Sequence, residues 1–78
     1  NVAHFYLRRG AYVAALNRGK YVIENYQRTP AMPEALEVTA RAYKILGLQD
    51  LSEDTIRVLE INYPQHIGLD SLREITLE

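Results

Sequence analysis

The chain repeats itself at a distance that only a helix hairpin fills. Placing "YLRRGAYVAALNRGKYVIENY" over "YKILGLQDLSEDTIRVLEINY" aligns Tyr6 with Tyr43, Gly10 with Gly47, Lys20 with Arg57, Asn25 with Asn62 and Tyr26 with Tyr63, an offset of 37 residues. Self-similarity at a period of roughly 20–50 residues is the signature of stacked supersecondary units. Each copy reads as the end of one helix, a glycine turn, and a second helix ending in an asparagine-tyrosine pair. The fold class is therefore all-α. The spacing predicts helices over Val2–Arg9, Ala11–Asn25, Pro33–Leu46 and Leu51–Asn62, and the tail "GLDSLREITLE" can add a short one from about Leu69, on Leu69, Leu72, Ile75 and Leu77.

The punctuation between these helices has physical reasons. Gly10 and Gly47 follow helix ends, where glycine takes the left-handed conformation that satisfies the last free carbonyls. Asp50 stands where an N-cap belongs, with Glu53 three residues on as in a capping box. In "QRTPAMPEAL" the third helix can start behind Thr29 as N-cap or later, at Pro33. Pro64 halts the fourth helix. Glu37 with Arg41 and Glu53 with Arg57 are spaced for ion pairs along a helix. Gly19 breaks the rule: it sits in a helix interior, where it costs about 1 kcal/mol relative to alanine. It shares a stripe of small and apolar residues with Ala15, Val22 and Tyr26, so close approach of the following helix is the expected reason, ahead of room for a partner's backbone beside Arg18.

Composition narrows the function. At 78 residues the chain is at most one small domain, and without cysteine it has no disulfide and no thiol-based metal or redox site. The start "NVAHFYLRRG" carries no methionine, signal peptide or lipid-attachment cysteine, so the sequence reads as an excised piece of a longer protein. Seven basic residues face three acidic ones over 1–44, whereas 45–78 holds two basic and seven acidic. Such asymmetry marks either a surface for a partner of opposite sign or ordinary solvated helix faces. His4 and His66 lie in no cluster with metal-ligand spacing. Glu34 and Glu37, three apart, read as a solvated face rather than a catalytic pair. Ser52 and Ser71 have no nearby base, and no glycine loop cradles phosphate. The chain is not read as an enzyme and needs no cofactor. A nucleic-acid module using Arg18, Lys20 and Arg28 on phosphate is disfavoured by a net charge of −1.

On the second helix a surface stripe collects Ala11, Ala14, Arg18, Tyr21 and Asn25. Arginine and tyrosine beside small residues are the types enriched at interface hot spots, and arginine can grip a carboxylate through two parallel hydrogen bonds. The competing reading is internal: Arg18 pairs with an acidic residue of a neighbouring helix, and Tyr21 only covers apolar surface.

The second copy carries the spacing of a tetratricopeptide (TPR) repeat in Leu36, Ala40, Tyr43, Gly47, Ser52, Ile56, Leu59 and Pro64. It departs from the pattern at Thr39, Ser52 and Leu59. The first copy matches at Ala3, Tyr6, Ala15 and Val22 and departs at Gly19 and Gln27, and the offset exceeds the usual period of about 34 residues. On this reading 1–27 is a partial TPR-like repeat, 28–64 a second one and 65–78 a tail, together an α-solenoid fragment. More narrowly, "FYLRRGAYVAALNR", "YVIENY" and "ARAYKILGL" resemble the C-terminal repeats of the BamD family, TPR lipoproteins of the β-barrel assembly (BAM) machinery at the periplasmic face of the Gram-negative outer membrane. The resemblance implies a non-catalytic scaffold whose C-terminal repeats dock on the POTRA domains of BamA, in an assembly that also includes BamC and BamE. Unfolded outer-membrane proteins would meet the N-terminal repeats, and a lipid anchor outside this sequence would hold the membrane. It places Arg18 first and Arg9 second at the BamA contact, with Asn17 orienting or capping it. Tyr21 and Ala14 join them from the helix face. A generic TPR adaptor clasping a peptide in its concave groove is the alternative; it would need polar residues where Ala3, Tyr6, Ala40 and Tyr43 look like packing positions.

Overall fold

A computed structural model describes residues 2–77, with side chains through Arg73. Five helices follow one another: α1 Val2–Arg8, α2 Tyr12–Asn25, α3 Ala31–Ile45, α4 Gln49–Asn62 and α5 Leu69–Leu77. There is no strand among the described residues, and none of the described helices is long and apolar enough to cross a membrane.

Both glycine turns close as their chemistry requires. Gly10 and Gly47 have φ of 77° and 83°. Around Gly10, the Ala11 N–H donates to the Tyr6 carbonyl at 2.9 Å and the Gly10 N–H to the Leu7 carbonyl at 3.1 Å. The second turn repeats this bond for bond: Leu48 to Tyr43 at 2.8 Å and Gly47 to Lys44 at 3.1 Å. These are the paired bonds of a Schellman motif. The asparagine-tyrosine pairs are equally regular. Asn25 donates its side-chain amide to the Tyr21 carbonyl at 2.8 Å, and Asn62 donates to the Val58 carbonyl at 2.9 Å. Each asparagine thus adds a side-chain bond one turn back along its own helix, next to the carbonyl that the following tyrosine N–H closes.

The helix starts differ from the sequence expectation. Asp50 is not an N-cap, because α4 already begins at Gln49 and Leu48 precedes it without a side-chain cap. The Schellman turn is the reason: it uses the Leu48 N–H, while the Leu48 carbonyl accepts from Ser52 at 3.0 Å, so the chain enters the helix directly. Glu53 consequently accepts from Gln49 at 3.2 Å, and Arg57 pairs with Asp54 at 3.2 Å rather than with Glu53. Helix α3 starts at Ala31, between the two anticipated positions, with Pro33 in its first turn, where a missing N–H costs nothing. Thr29 does not cap it; its hydroxyl donates back to the Tyr26 carbonyl at 2.8 Å.

Helix α3 is the centre of the molecule. It packs on α1, α2, α4 and α5, while α2 and α4 flank it without packing on each other. One cluster joins Leu36 and Ala40 to Ile56 and Leu59 of α4 and Leu69 and Leu72 of α5; a second joins Ala3, Ala15 and Val38. Small residues permit the close approach. Ser52 is buried and donates its hydroxyl to the Ala40 carbonyl at 2.8 Å, which explains a polar residue at a TPR alanine position. Gly19 is buried against α3, and a Cβ there would run into the Thr39 hydroxyl and lie 3.2 Å from the Ala35 carbonyl oxygen. The close-packing reason for this glycine therefore holds.

Glu37 is the main correction. Read as part of a solvated face, it is buried at 9% exposure, with its carboxylate accepting from Arg41 at 3.1 Å and from His66 Nε2 at 2.7 Å. His66 lies in the connection between α4 and α5, and Gly68 of that connection leaves the space the carboxylate fills. The cluster thereby ties the α4–α5 connection to α3. Arg73 adds a second tie, donating to Glu60 of α4 at 2.8 Å. Burial alone would push the Glu37 carboxyl up, but the hydrogen bonds from His66 and Arg41 and their charges outweigh it and hold the carboxyl below its ordinary value. The charged form is thus favoured in the folded state, and its contribution is complete above the ordinary value of 4.5 and is lost as pH falls through the lower folded one. Urea midpoints followed from about pH 6 to about pH 3 should fall in the natural chain and fall less in Glu37→Gln, which carries no charge to lose.

Candidate docking site

The helical register of α2 sets the candidate face. Ala15 and Gly19 point into the core, so Ala14, Arg18, Tyr21 and Asn25 run along the outer side. Ala14 is half-buried, Arg18 and Asn25 are exposed, and Tyr21 is 46% exposed. Arg18 holds its guanidinium 5.3 Å from the centre of the Tyr21 ring, and that ring lies 6.0 Å from the ring of Tyr26. Arg18 forms no ion pair among the described residues. The internal pairing considered from sequence is therefore not made, and a cation resting on an aromatic face keeps its hydrogen-bonding edge available.

Arg9 occupies different ground. It stands beyond the end of α1, at the Gly10 turn, with its guanidinium 5.2 Å from the centre of the Phe5 ring. Arg18 instead borders a hollow with Val2, Ala3, Val22, Ala31 and Ala35, at the other end of the same hairpin. The two arginines are separated by the length of α1, about 10 Å for seven residues. They do not converge on one point. Asn17 is exposed next to Arg18 in sequence, turned about 100° around the helix, and makes no side-chain hydrogen bond among the described residues. Its neighbour in space is solvent.

The face presents a guanidinium, two phenol rings and a small residue along one helix. No group of three or more His, Asp or Glu side chains able to hold a metal ion occurs among the described residues. Ala3 and Ala40 are buried and Tyr6 and Tyr43 half-buried. Sequence reasoning missed the Glu37–His66 cluster, whose members are 29 residues apart, and Gly68 was the one available signal for it.

Hairpins of this geometry, stacked through small residues on a shared central helix, define an all-α helix-hairpin repeat protein of the α-solenoid class. Residues 1–59 match the family model YfiO, described as outer membrane lipoprotein, and the chain belongs to that family. It is 48% identical over 65 residues to the outer membrane protein assembly factor BamD of Neisseria gonorrhoeae, an alignment covering 83% of this chain and 24% of that protein. It is 46% identical to the factor of the same name from Neisseria meningitidis, over the same shares of both chains. With that of Vibrio cholerae it shares 42% identity, over 77% of this chain and 25% of the relative. The chain spans about a quarter of the length of the curated relatives it matches.

Proposed function

We propose that this chain is a non-catalytic scaffold and docking module of outer-membrane protein assembly, which binds the POTRA region of BamA through the outer face of α2. The family is one of outer membrane lipoproteins, and its curated relatives are outer membrane protein assembly factors. The observation that carries the reading to α2 is Arg18, exposed, without an internal acid, and braced on Tyr21. A carboxylate of the partner accepts two parallel hydrogen bonds from the guanidinium, and the bracing ring reduces the side-chain freedom lost on binding. Tyr21 and Ala14 extend the contact, and Asn17 flanks it. Arg9, at the far end of the hairpin, makes a separate contact with Phe5 beneath it. The division into repeats at 27/28 and 64/65, the location at the periplasmic face, and membership of an assembly with BamC and BamE belong to the same proposal. So does the delivery of unfolded outer-membrane proteins by repeats N-terminal to this region.

The test is a titration against the POTRA region of BamA. Truncating one partner of a hydrogen-bonded charge pair costs about 2–5 kcal/mol, so Arg18→Glu should weaken binding by about 30-fold or more, with helicity unchanged by circular dichroism. Arg18→Lys should recover only part of it, since lysine lacks the planar fork. Equal affinity of Arg18→Glu and the natural chain would remove α2 from the contact.

A further inference from the structure

The side of α2 away from Arg18 borders a second surface. Because α2 and α4 both pack on α3 and not on each other, a groove of about 320 Å³ runs between them. Its floor is Leu36, Thr39 and Tyr43 of α3, and its walls are Ile23 of α2 and Val58 of α4. Outward from Val58, which is 44% exposed, the apolar row continues along α4 through Leu51 and Ile61, both exposed. Leu51 to Ile61 spans about 15 Å of helix, close to three turns. Leu51, Val58 and Ile61 stand outside the Ser52, Ile56 and Leu59 stripe by which α4 meets the core, so the helical period that marks the core leaves them out.

The charge around the groove is acidic on the α4 side and balanced on the α2 side. Glu24 stands on the α2 wall and Asp54 on the α4 wall, with Lys20 as the one cation of the lining. Helix α4 as a whole carries Asp50, Glu53, Asp54 and Glu60 against Arg57. Asp54 is taken by Arg57 and Glu60 by Arg73, but Glu24 and Asp50 form no ion pair among the described residues. An apolar slot of a few side chains, extended by a helix-length row and bounded by the acidic helix α4, matches one way of recognising a protein: a helix laid in a groove through anchors at i, i+3/i+4 and i+7. We propose that the α2–α4 groove receives an amphipathic helix of a partner protein, apolar on the inserted face and carrying Lys or Arg along the flank that meets α4. This surface is independent of Arg18, and neither reading rests on the other.

The test uses a fluorescent synthetic amphipathic helix of about four turns, with a leucine stripe flanked by lysines, and a twin flanked by glutamates. The lysine helix should bind saturably and shift the amide resonances of Ile23, Thr39, Tyr43 and Val58. Val58→Lys, a change at an exposed position that leaves the core intact, should weaken it by about tenfold or more. Glu24→Lys with Asp54→Lys should exchange the preference to the glutamate twin. Ile67→Glu, at a 95% exposed residue outside the groove, should change nothing. The proposal is overturned if the natural chain binds neither helix, if both twins bind it alike, or if Ile67→Glu weakens binding as much as Val58→Lys. It is equally overturned if the chain alone dimerises in sedimentation and Val58→Lys abolishes the dimer, since the occupant is then a second copy.

Discussion

Gly19→Leu should lower the melting temperature by about 10 °C. Inserting methylenes into a packed seam costs about 1–3 kcal/mol, and Gly19 belongs at the upper end, because even a Cβ meets the Thr39 hydroxyl and crowds the Ala35 carbonyl of a neighbouring helix. The better helix propensity of leucine returns somewhat less than 1 kcal/mol. The net loss of about 2 kcal/mol corresponds to the stated shift for a domain of this size. A thermal melt followed at the helical circular-dichroism band measures it, and a variant melting at the natural temperature would mean the α2–α3 seam is not closed. The double change Gly19→Ala with Thr39→Ala sharpens the test. Thr39 Oγ1 is buried and has no hydrogen-bond partner among the described residues, so Thr39→Ala removes both the obstruction and an unsatisfied group. The pair should therefore be more stable than the sum of the single changes predicts, as expected for residues that share one contact.

Glu37→Ala should be costlier still. The Glu37 side chain is 11% exposed, His66 14% and Arg41 19%, so removing the carboxylate strands a guanidinium and an imidazole with little access to water. Breaking a buried pair by deleting one partner typically costs about 3–5 kcal/mol, and the lower figure already moves the melting temperature by about 12 °C or more. Glu37→Gln keeps an acceptor for one of the two donors and should lose less. Gly68→Ala should reproduce part of the effect without touching a charge, because its Cβ would occupy the place of the Glu37 carboxylate. Limited proteolysis locates the damage: cleavage in the 63–68 connection should appear before cleavage elsewhere. A Glu37→Ala variant that melts within a few degrees of the natural chain, with that connection still protected, would show that α5 docks without the cluster.

The residues that announced the architecture did so through local chemistry. Gly10 and Gly47 each required a left-handed turn, and a glycine within a helix at position 19 required a close neighbour; all three requirements are met within a few residues or one helix contact. The α2 face was legible for the same reason, since a helical period fixes which side Arg18 and Tyr21 share. Helix starts were less legible. A capping box at Asp50 and Glu53 depends on where the preceding turn releases the chain, and the Schellman bonds release it at Leu48. The Glu37–His66–Arg41 cluster was illegible for a different reason: a glutamate three residues from another looks solvated until the connection behind α4 folds back over it. Distances between elements were beyond reach as well. Nothing in the spacing of Arg9 and Arg18 tells that α1 separates them, and a groove between α2 and α4 exists only once both lie on α3.

The burial of α3 also sets how the chain comes apart. Six consecutive residues, Ala35 to Ala40, are buried on every side of the helix, whereas repeat proteins in general bury one face against each neighbour and lose stability unit by unit. Here the opening of one hairpin uncovers α3 on part of its surface only, because α1, α2, α4 and α5 all pack on it. The amide protons of that segment can reach solvent only when the whole domain opens, and those of α1 and α5 can exchange while the centre stays closed. The two hairpins therefore share one cooperative transition, and a partner that clasps either flank slows hydrogen exchange in a helix it never touches.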